Sequence, residues 1–260
     1  ASFLSCPGAF YGESGSAAET YASTDATRDF ITYDADGSSV FSVTGGEEGY
    51  IQPNGTYHLP SGMLDGKPAN IDHFSALGVR VMQLSYNTVS PFASGVMAAQ
   101  PSAGLTALGR EAVARMNACG VTLDLSHADE RSSLQALAAS TRPAAITHAG
   151  CYSAYAHPRN KSDAVLRAVA VSGGVVGLYG LSYISAGPAQ QSLDDYMAHM
   201  LHALKVCGED HVGIGSDALM MPFDTSRESM AAWNKDIAER KASGVGAPGE
   251  GPPPFVIGLN

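Results

Sequence analysis

From Ile71 onward, short apolar runs alternate with helix-patterned segments, and the alternation repeats at intervals of about 20 to 40 residues. The runs at 78–87, 121–125, 144–147, 175–180 and 211–218 read as strands. The segments at 106–120, 128–140, 161–174 and 192–208 read as helices. Thr106 and Gly120 fit the two ends of the first helix, and Leu108, Val113 and Met116 share its predicted face. Ser162 fits the start of the third, with Gly173 as its stop, and Ser192 with Asp195 forms a near capping box on the fourth. Strands joined by helices in this order build a parallel sheet from right-handed crossovers. No GxGxxG follows an early strand, so a nucleotide-binding sheet has no support. The predicted fold class is α/β, a (β/α)8 barrel that is incomplete at both ends. In the fourth helix, Met197, Met200, Leu201 and Leu204 form the predicted apolar stripe, which leaves His199 and His202 facing solvent.

Residues 1 to about 70 read differently. They are rich in Gly, Ser, Thr, Asp and Tyr, with short strand candidates such as "SSVFSVTGG" and no clear helix. They are expected to form a divergent N-terminal segment of a single domain spanning 1–260. The far end loosens into a Pro/Gly loop at 244–255, followed by a final strand at 255–260.

Composition excludes several classes of partner. The formal charge is −10 and the pI is near 5.1, which argues against nucleic acid and anionic membranes. No run of 18 apolar residues is long enough to span a bilayer. The opening "ASFLSCPGAF" lacks a basic region and a long apolar core. The compartment stays open; a leader lost ahead of Ala1 fits an exported protein. Cys6, Cys119, Cys151 and Cys207 are scattered with no CxxC pair, so a cysteine zinc site is not expected. Two disulfides and buried free thiols both remain open for them.

Two of the predicted strands end in histidine. "VTLDL" leads into "SH" at His127, and "AAIT" leads directly into His148. In a (β/α)8 barrel, chemistry sits at the C-terminal ends of the strands. Neighbouring parallel strands lie about 4.8 Å apart, so imidazoles on adjacent strand tips can reach one metal ion. Asp217 ends "HVGIGSD" in the same kind of position, where a carboxylate can hold a catalytic water or take its proton. The residues by themselves extend to a metal hydrolase and no further.

The ordered stretches "GVRVMQLSYN", "GLTALGREAVARMNACGVTLDLSHADERS", "RPAAITHAGCYSAYAHPRNKSDAVLRAVAVSGGVVGL" and "LDDYMAHMLHALKVCGEDHVGIGSD" resemble the membrane (renal) dipeptidase family, peptidase family M19. The resemblance covers about residues 71–220. It implies a barrel of the amidohydrolase type with a zinc centre of one or two ions, and hydrolysis of dipeptides by a metal-bound hydroxide. By the same resemblance, His127 and His148 are ligands of one zinc. Arg159 of "HPRN" binds the substrate carboxylate, and Asp217 serves the catalytic water and the substrate amine. Tyr86 stands where many members carry a substrate-contacting histidine. His157, beside Arg159, can line the same site. A homodimer is also implied.

Two family features are hard to find. The His-x-Asp pair that ends the family's first strand and binds the first zinc is expected to be absent from the whole chain. The glutamate that bridges both metals has a local candidate in Glu48, after the predicted strand Val40–Val43, with Glu47 as a weaker one. The alternative reading is a non-catalytic or single-metal relative, acting as a binding protein or on another amide.

Overall fold

The computed structural model describes residues 64–76, 78–186, 190–217, 223–244, 246–251 and 256–257, together with the backbone of five short strands nearer the N-terminus. Those strands are β1 (Tyr21–Ala22), β2 (Phe30–Tyr33), β3 (Ser39–Val43), β4 (Glu47–Ile51) and β5 (Tyr57–His58). They pair in sequence order, each antiparallel to the next, as a meander. The predicted strand of "SSVFSVTGG" is β3, and Glu48 lies in the strand that follows it, opposite Ser42.

The second sheet is parallel. It contains β6 (Val81–Gln83), β7 (Thr122–Asp124), β8 (Ala145–Ala149), β9 (Val175–Leu178) and β10 (Val212–Ile214), ordered 10-9-8-7-6. Sequential neighbours are spatial neighbours throughout. Helix α1 (Asn70–Ala76) precedes β6, and the crossovers are α2 (Ala107–Cys119), α3 (Glu130–Ala139), α4 (Asp163–Val171) and α5 (Leu193–Cys207). The described strands form an open array of five, with β6 and β10 at its edges.

Local chemistry sets the helix ends. The Thr106 hydroxyl accepts from the Gly109 N–H, and Gly120 closes α2 at φ 70°, a left-handed conformation that costs glycine little. Asp129 and Ser162 cap α3 and α4, and Ser192 with Asp195 makes a complete capping box on α5. The inward face of α2 is Gly109, Ala112, Val113 and Met116, an i, i+3, i+4, i+7 set. Leu108 lies off that face and is exposed.

α5 corrects a second expectation. Its buried residues are Tyr196, His199, Ala203 and Cys207, while Met197 and Leu201 are exposed. His199 is 1% exposed because both ring nitrogens find partners: Nδ1 accepts from the Cys151 N–H at 2.8 Å, and Nε2–H donates to the Ile184 carbonyl at 2.8 Å. A buried imidazole with two satisfied nitrogens is neutral, and burial lowers its pKa. His202 is half-buried and bonded to Asp163 at 2.7 Å. Helix α6 (Arg227–Ala242) escaped the sequence reading because it buries no residue and carries no apolar stripe.

The core fills the space between sheet and helices. Met82, Leu123, Ile146, Val176 and Leu178 of the strands meet Val113, Met116, Ala136, Val165, Leu166 and Val169 of the helices. Each fully buried Val, Leu, Ile or Met contributes about 1.5–3 kcal/mol by leaving water. Cys119, Cys151 and Cys207 are free thiols, the latter two buried; Cys6 and the predicted C-terminal strand fall, apart from Val256 and Ile257, outside the described residues.

Candidate active site

Strands β6 to β10 all deliver their C-terminal ends to one edge of the sheet. Tyr86 and Asn87 follow β6, Ser126 and His127 follow β7, His148 sits inside β8, and Asp217 follows β10. The β8–β9 pairing shifts register between Ile146 and Ala149, so Thr147 and His148 lie in an irregularity of the ladder. Such bulges re-aim side chains beside functional sites. The Thr147 carbonyl points into space left by glycines. A Cβ on Gly177 would come within 2.2 Å of that oxygen, and one on Gly215 within 1.8 Å.

The two histidines meet. Both are 2% exposed, and their Nε2 atoms stand 3.0 Å apart. Proton accounting shows what each presents. Arg159 Nη2 lies 3.2 Å from His127 Nε2, and a guanidinium only donates, so His127 Nε2 carries a lone pair. The proton is then on Nδ1, donated to Asn87 Oδ1 at 2.8 Å. On the other side, Thr147 Oγ1 donates to Asp124 Oδ2 at 2.7 Å and accepts from His148 Nδ1–H at 2.9 Å. With the Thr147 proton on Asp124 and the His148 proton on Nδ1, His148 Nε2 also presents a lone pair. Two lone pairs at this distance repel unless a shared proton or a cation sits between them.

That arrangement fits a metal ion. Two nitrogens bound to one tetrahedral zinc at 2.0–2.1 Å lie about 3.3 Å apart. The opposite ring nitrogen of each histidine is already held by an oxygen, the arrangement typical of metal-bound imidazoles. Among the described residues, no group of three His, Cys, Asp or Glu closes into a complete metal shell. Asp217 Oδ2 is 3.8 Å from His148 Nε2, beside the pair.

Asp217 adopts φ 52°, a left-handed backbone rare for a residue with a side chain. Burial pushes its carboxyl up to about 7; Arg159 opposes the rise and Asp124 adds to it. Arg159 is 1% exposed, donates to the Ser126 carbonyl at 2.7 Å, and lies 5.9 Å from the centre of the Tyr179 ring. Tyr86 stacks on His127 with ring centres 4.0 Å apart, and its hydroxyl accepts from Arg240 of α6 at 2.9 Å. Burial raises the Tyr86 pKa. His157 stacks on Tyr183 at 4.6 Å, accepts from the Arg159 N–H, and donates Nε2–H to the Pro248 carbonyl at 2.7 Å.

The structure thus brings together His127, His148, Arg159, Tyr86 and Asp217. The side chain of Glu48 lies outside the described residues. The reading overlooked Asn87 and Arg240. Asn87 sat beside Tyr86 in the quoted motif, whereas Arg240 gave no signal, being one cation among many on a charged helix. One spelling was passed over. His127-Ala128-Asp129 is itself a His-x-Asp, but Asp129 Oδ1 accepts from the Ser132 N–H at 2.7 Å and so serves as the cap of α3.

The family model of membrane dipeptidase, peptidase family M19, matches residues 55–231. The chain belongs to this family. Among M19 and related proteins, it is 33% identical over 193 residues to an uncharacterized protein in the pqqA 5' region of Klebsiella pneumoniae, covering 71% of each chain. It is 36% identical over 159 residues to an uncharacterized dipeptidase of Schizosaccharomyces pombe, covering 59% of this chain and 38% of that protein. Among solved structures, an amidohydrolase from Pseudomonas aeruginosa superposes with a TM-score of 0.56 at 32% identity, covering 60% of this chain and 48% of that one. A metallopeptidase from Rhodobacter sphaeroides, liganded with a phosphinate mimic of the dipeptide L-Ala-D-Ala, superposes at 0.53 with 27% identity, covering 68% and 53%. This M19 chain therefore spans about two fifths of the yeast dipeptidase and about half of these solved structures.

Proposed function

We propose that this M19 chain acts as a zinc-dependent dipeptidase, hydrolysing the peptide bond of dipeptides. The observation that carries the reading is the pair of Nε2 lone pairs of His127 and His148, buried and facing each other at 3.0 Å. The dipeptide mimic bound by the Rhodobacter relative supports the substrate class. Completion of the sheet to a (β/α)8 barrel, as one domain with its divergent N-terminal segment, belongs to the same proposal.

His127 and His148 would hold one zinc, and Glu48 is the proposed further carboxylate ligand. When bound, zinc lowers the pKa of a water and polarises the scissile carbonyl. The remaining steps belong to the chain. Arg159 pairs with the free carboxylate of the substrate through its planar fork, which selects short peptides. Asp217 orients the attacking water, takes its proton and receives the substrate amine. Tyr86 walls the pocket beside His127.

A second reading has an observation of its own. Within this sequence His-x-Asp occurs at His127-Ala128-Asp129, and Asp129 is committed to capping α3. A single-metal or non-catalytic relative fits that. Zinc per chain on protein purified without chelator, followed by an assay on dipeptides, separates the readings. Two ions with turnover support the dipeptidase. One ion without turnover supports the decayed relative, and no ion in the wild type overturns the catalytic reading.

A further inference from the structure

Asp124 ends β7 and is 4% exposed. Its carboxylate accepts four hydrogen bonds. Oδ1 takes the Ser126 N–H at 3.0 Å, the Ser126 hydroxyl at 2.5 Å and the Thr147 N–H at 3.0 Å, and Oδ2 takes the Thr147 hydroxyl at 2.7 Å. Each hydroxyl has one proton. Both are spent on the carboxylate, since an ionised acceptor makes the stronger bond. What the two hydroxyls have left is acceptor capacity; they stand 3.1 Å from each other, and both also meet one residue. Ser126 Oγ accepts from the His148 backbone N–H at 3.1 Å, and Thr147 Oγ1 accepts from the His148 ring at Nδ1. The Ser126 carbonyl meanwhile receives Arg159 Nη1.

We propose that Asp124 is a positioning residue for His148: through the Thr147 hydroxyl it keeps the imidazole proton on Nδ1 and the lone pair of Nε2 turned toward His127. The inference rests on the reading of His148 as a metal ligand. The carboxylate reaches across from β7 to the segment of β8 where the pairing with β9 shifts register, the segment that carries Thr147 and His148. It takes the role that a carboxylate or carbonyl oxygen usually plays in direct contact with a metal-bound histidine, and plays it one hydroxyl removed.

The test uses Asp124→Asn. The amide keeps the shape but replaces an acceptor oxygen with an NH2 donor. Turned toward Thr147, that donor makes the hydroxyl oxygen an acceptor and sends its proton to His148 Nδ1. Nitrogen-15 NMR of the histidine rings in metal-free protein is expected to show Nδ1 of His148 protonated in the wild type and unprotonated in Asp124→Asn. Zinc affinity, read by chelator competition, is expected to fall about 10- to 100-fold. Thr147→Ser, which keeps the hydroxyl, is expected to bind zinc as the wild type does, and Thr147→Val to bind as weakly as Asp124→Asn. This pair decides the matter if Asp124→Asn does not fold. A protonated Nδ1 with wild-type affinity in Asp124→Asn, or equal affinity in the two Thr147 variants, overturns the relay. Because the proton is read without metal, the relay is judged even if the wild type takes up no zinc, a result that would sink the dipeptidase reading instead.

Discussion

The Nε2 atoms of His127 and His148 face each other at 3.0 Å, each with its opposite ring nitrogen tied to an oxygen. Neither ring can turn its lone pair away without breaking a buried hydrogen bond. His127→Ala and His148→Ala are each expected to cut zinc affinity on the order of 100-fold or more, since losing a nitrogen that binds the ion costs more than losing a group that only orients one. Metal analysis after dialysis checks this. Zinc retained in full by both variants would place the ion elsewhere.

Arg159 is buried, with Nη1 donating to the Ser126 carbonyl and Nη2 to His127 Nε2. Arg159→Lys keeps the charge and loses the fork. Dipeptide KM is expected to rise about 10- to 100-fold with kcat little changed, because a bidentate carboxylate contact is lost in ground and transition states alike. Steady-state kinetics on free and C-terminally amidated dipeptides read it. An unchanged KM would remove Arg159 from carboxylate binding.

Lys161 is 3% exposed and donates to the Ala128 carbonyl. Burial, with Arg159 adding to it, brings its ammonium from the usual 10.5 down to about 7. The unfolded chain holds that proton up to about 10.5, while the folded one releases it near 7. Between those values the unfolded chain binds more protons, so this group makes stability rise with pH, by up to about 1.4 kcal/mol per unit. Lys161→Met is expected to remove that slope. Urea unfolding at a series of pH values from neutral to alkaline, for both proteins, measures it; parallel curves would contradict it.

Gly215 carries a constraint from the site. A Cβ there would meet the Thr147 carbonyl at 1.8 Å and the Gly177 Cα at 2.9 Å, both backbone atoms that cannot swing aside. Gly215→Ala is expected to cost about 1–3 kcal/mol through overpacking. Because the displaced residue is Thr147, zinc affinity is expected to fall with it. Denaturant midpoint and chelator competition on the same variant test the coupling; a loss of stability with full affinity would separate the two.

Much of this molecule was legible in the chain because it is governed by local rules. Capping side chains marked the starts of α2, α4 and α5, and the 3.6-residue period separated helices from the short apolar strands between them. Strand-end position alone singled out His127, His148 and Asp217. The failures share a physical cause. On α5, hydropathy predicted that Met197 and Leu201 face inward, but His199 went in because Cys151 and Ile184 supply partners for its ring. Those partners come from elsewhere in the chain, and burial cost depends on them rather than on residue type. Helix α6 lacks the apolar face that periodicity detects.

The sequence by itself determined the alternating βα order, most helix caps, and which residues stand at the strand tips, since each depends on neighbours within a turn or two. Only the tertiary structure decided that the two histidines point at each other, that Asn87, Thr147 and Arg159 assign their protons, and that Asp124 reaches from one strand to the next. Apart from the adjacent Thr147–His148 pair, those relations join residues 21 to 40 positions apart. In a parallel sheet, the register between neighbouring strands is set by packing of the whole crossover, which no local stretch of chain encodes.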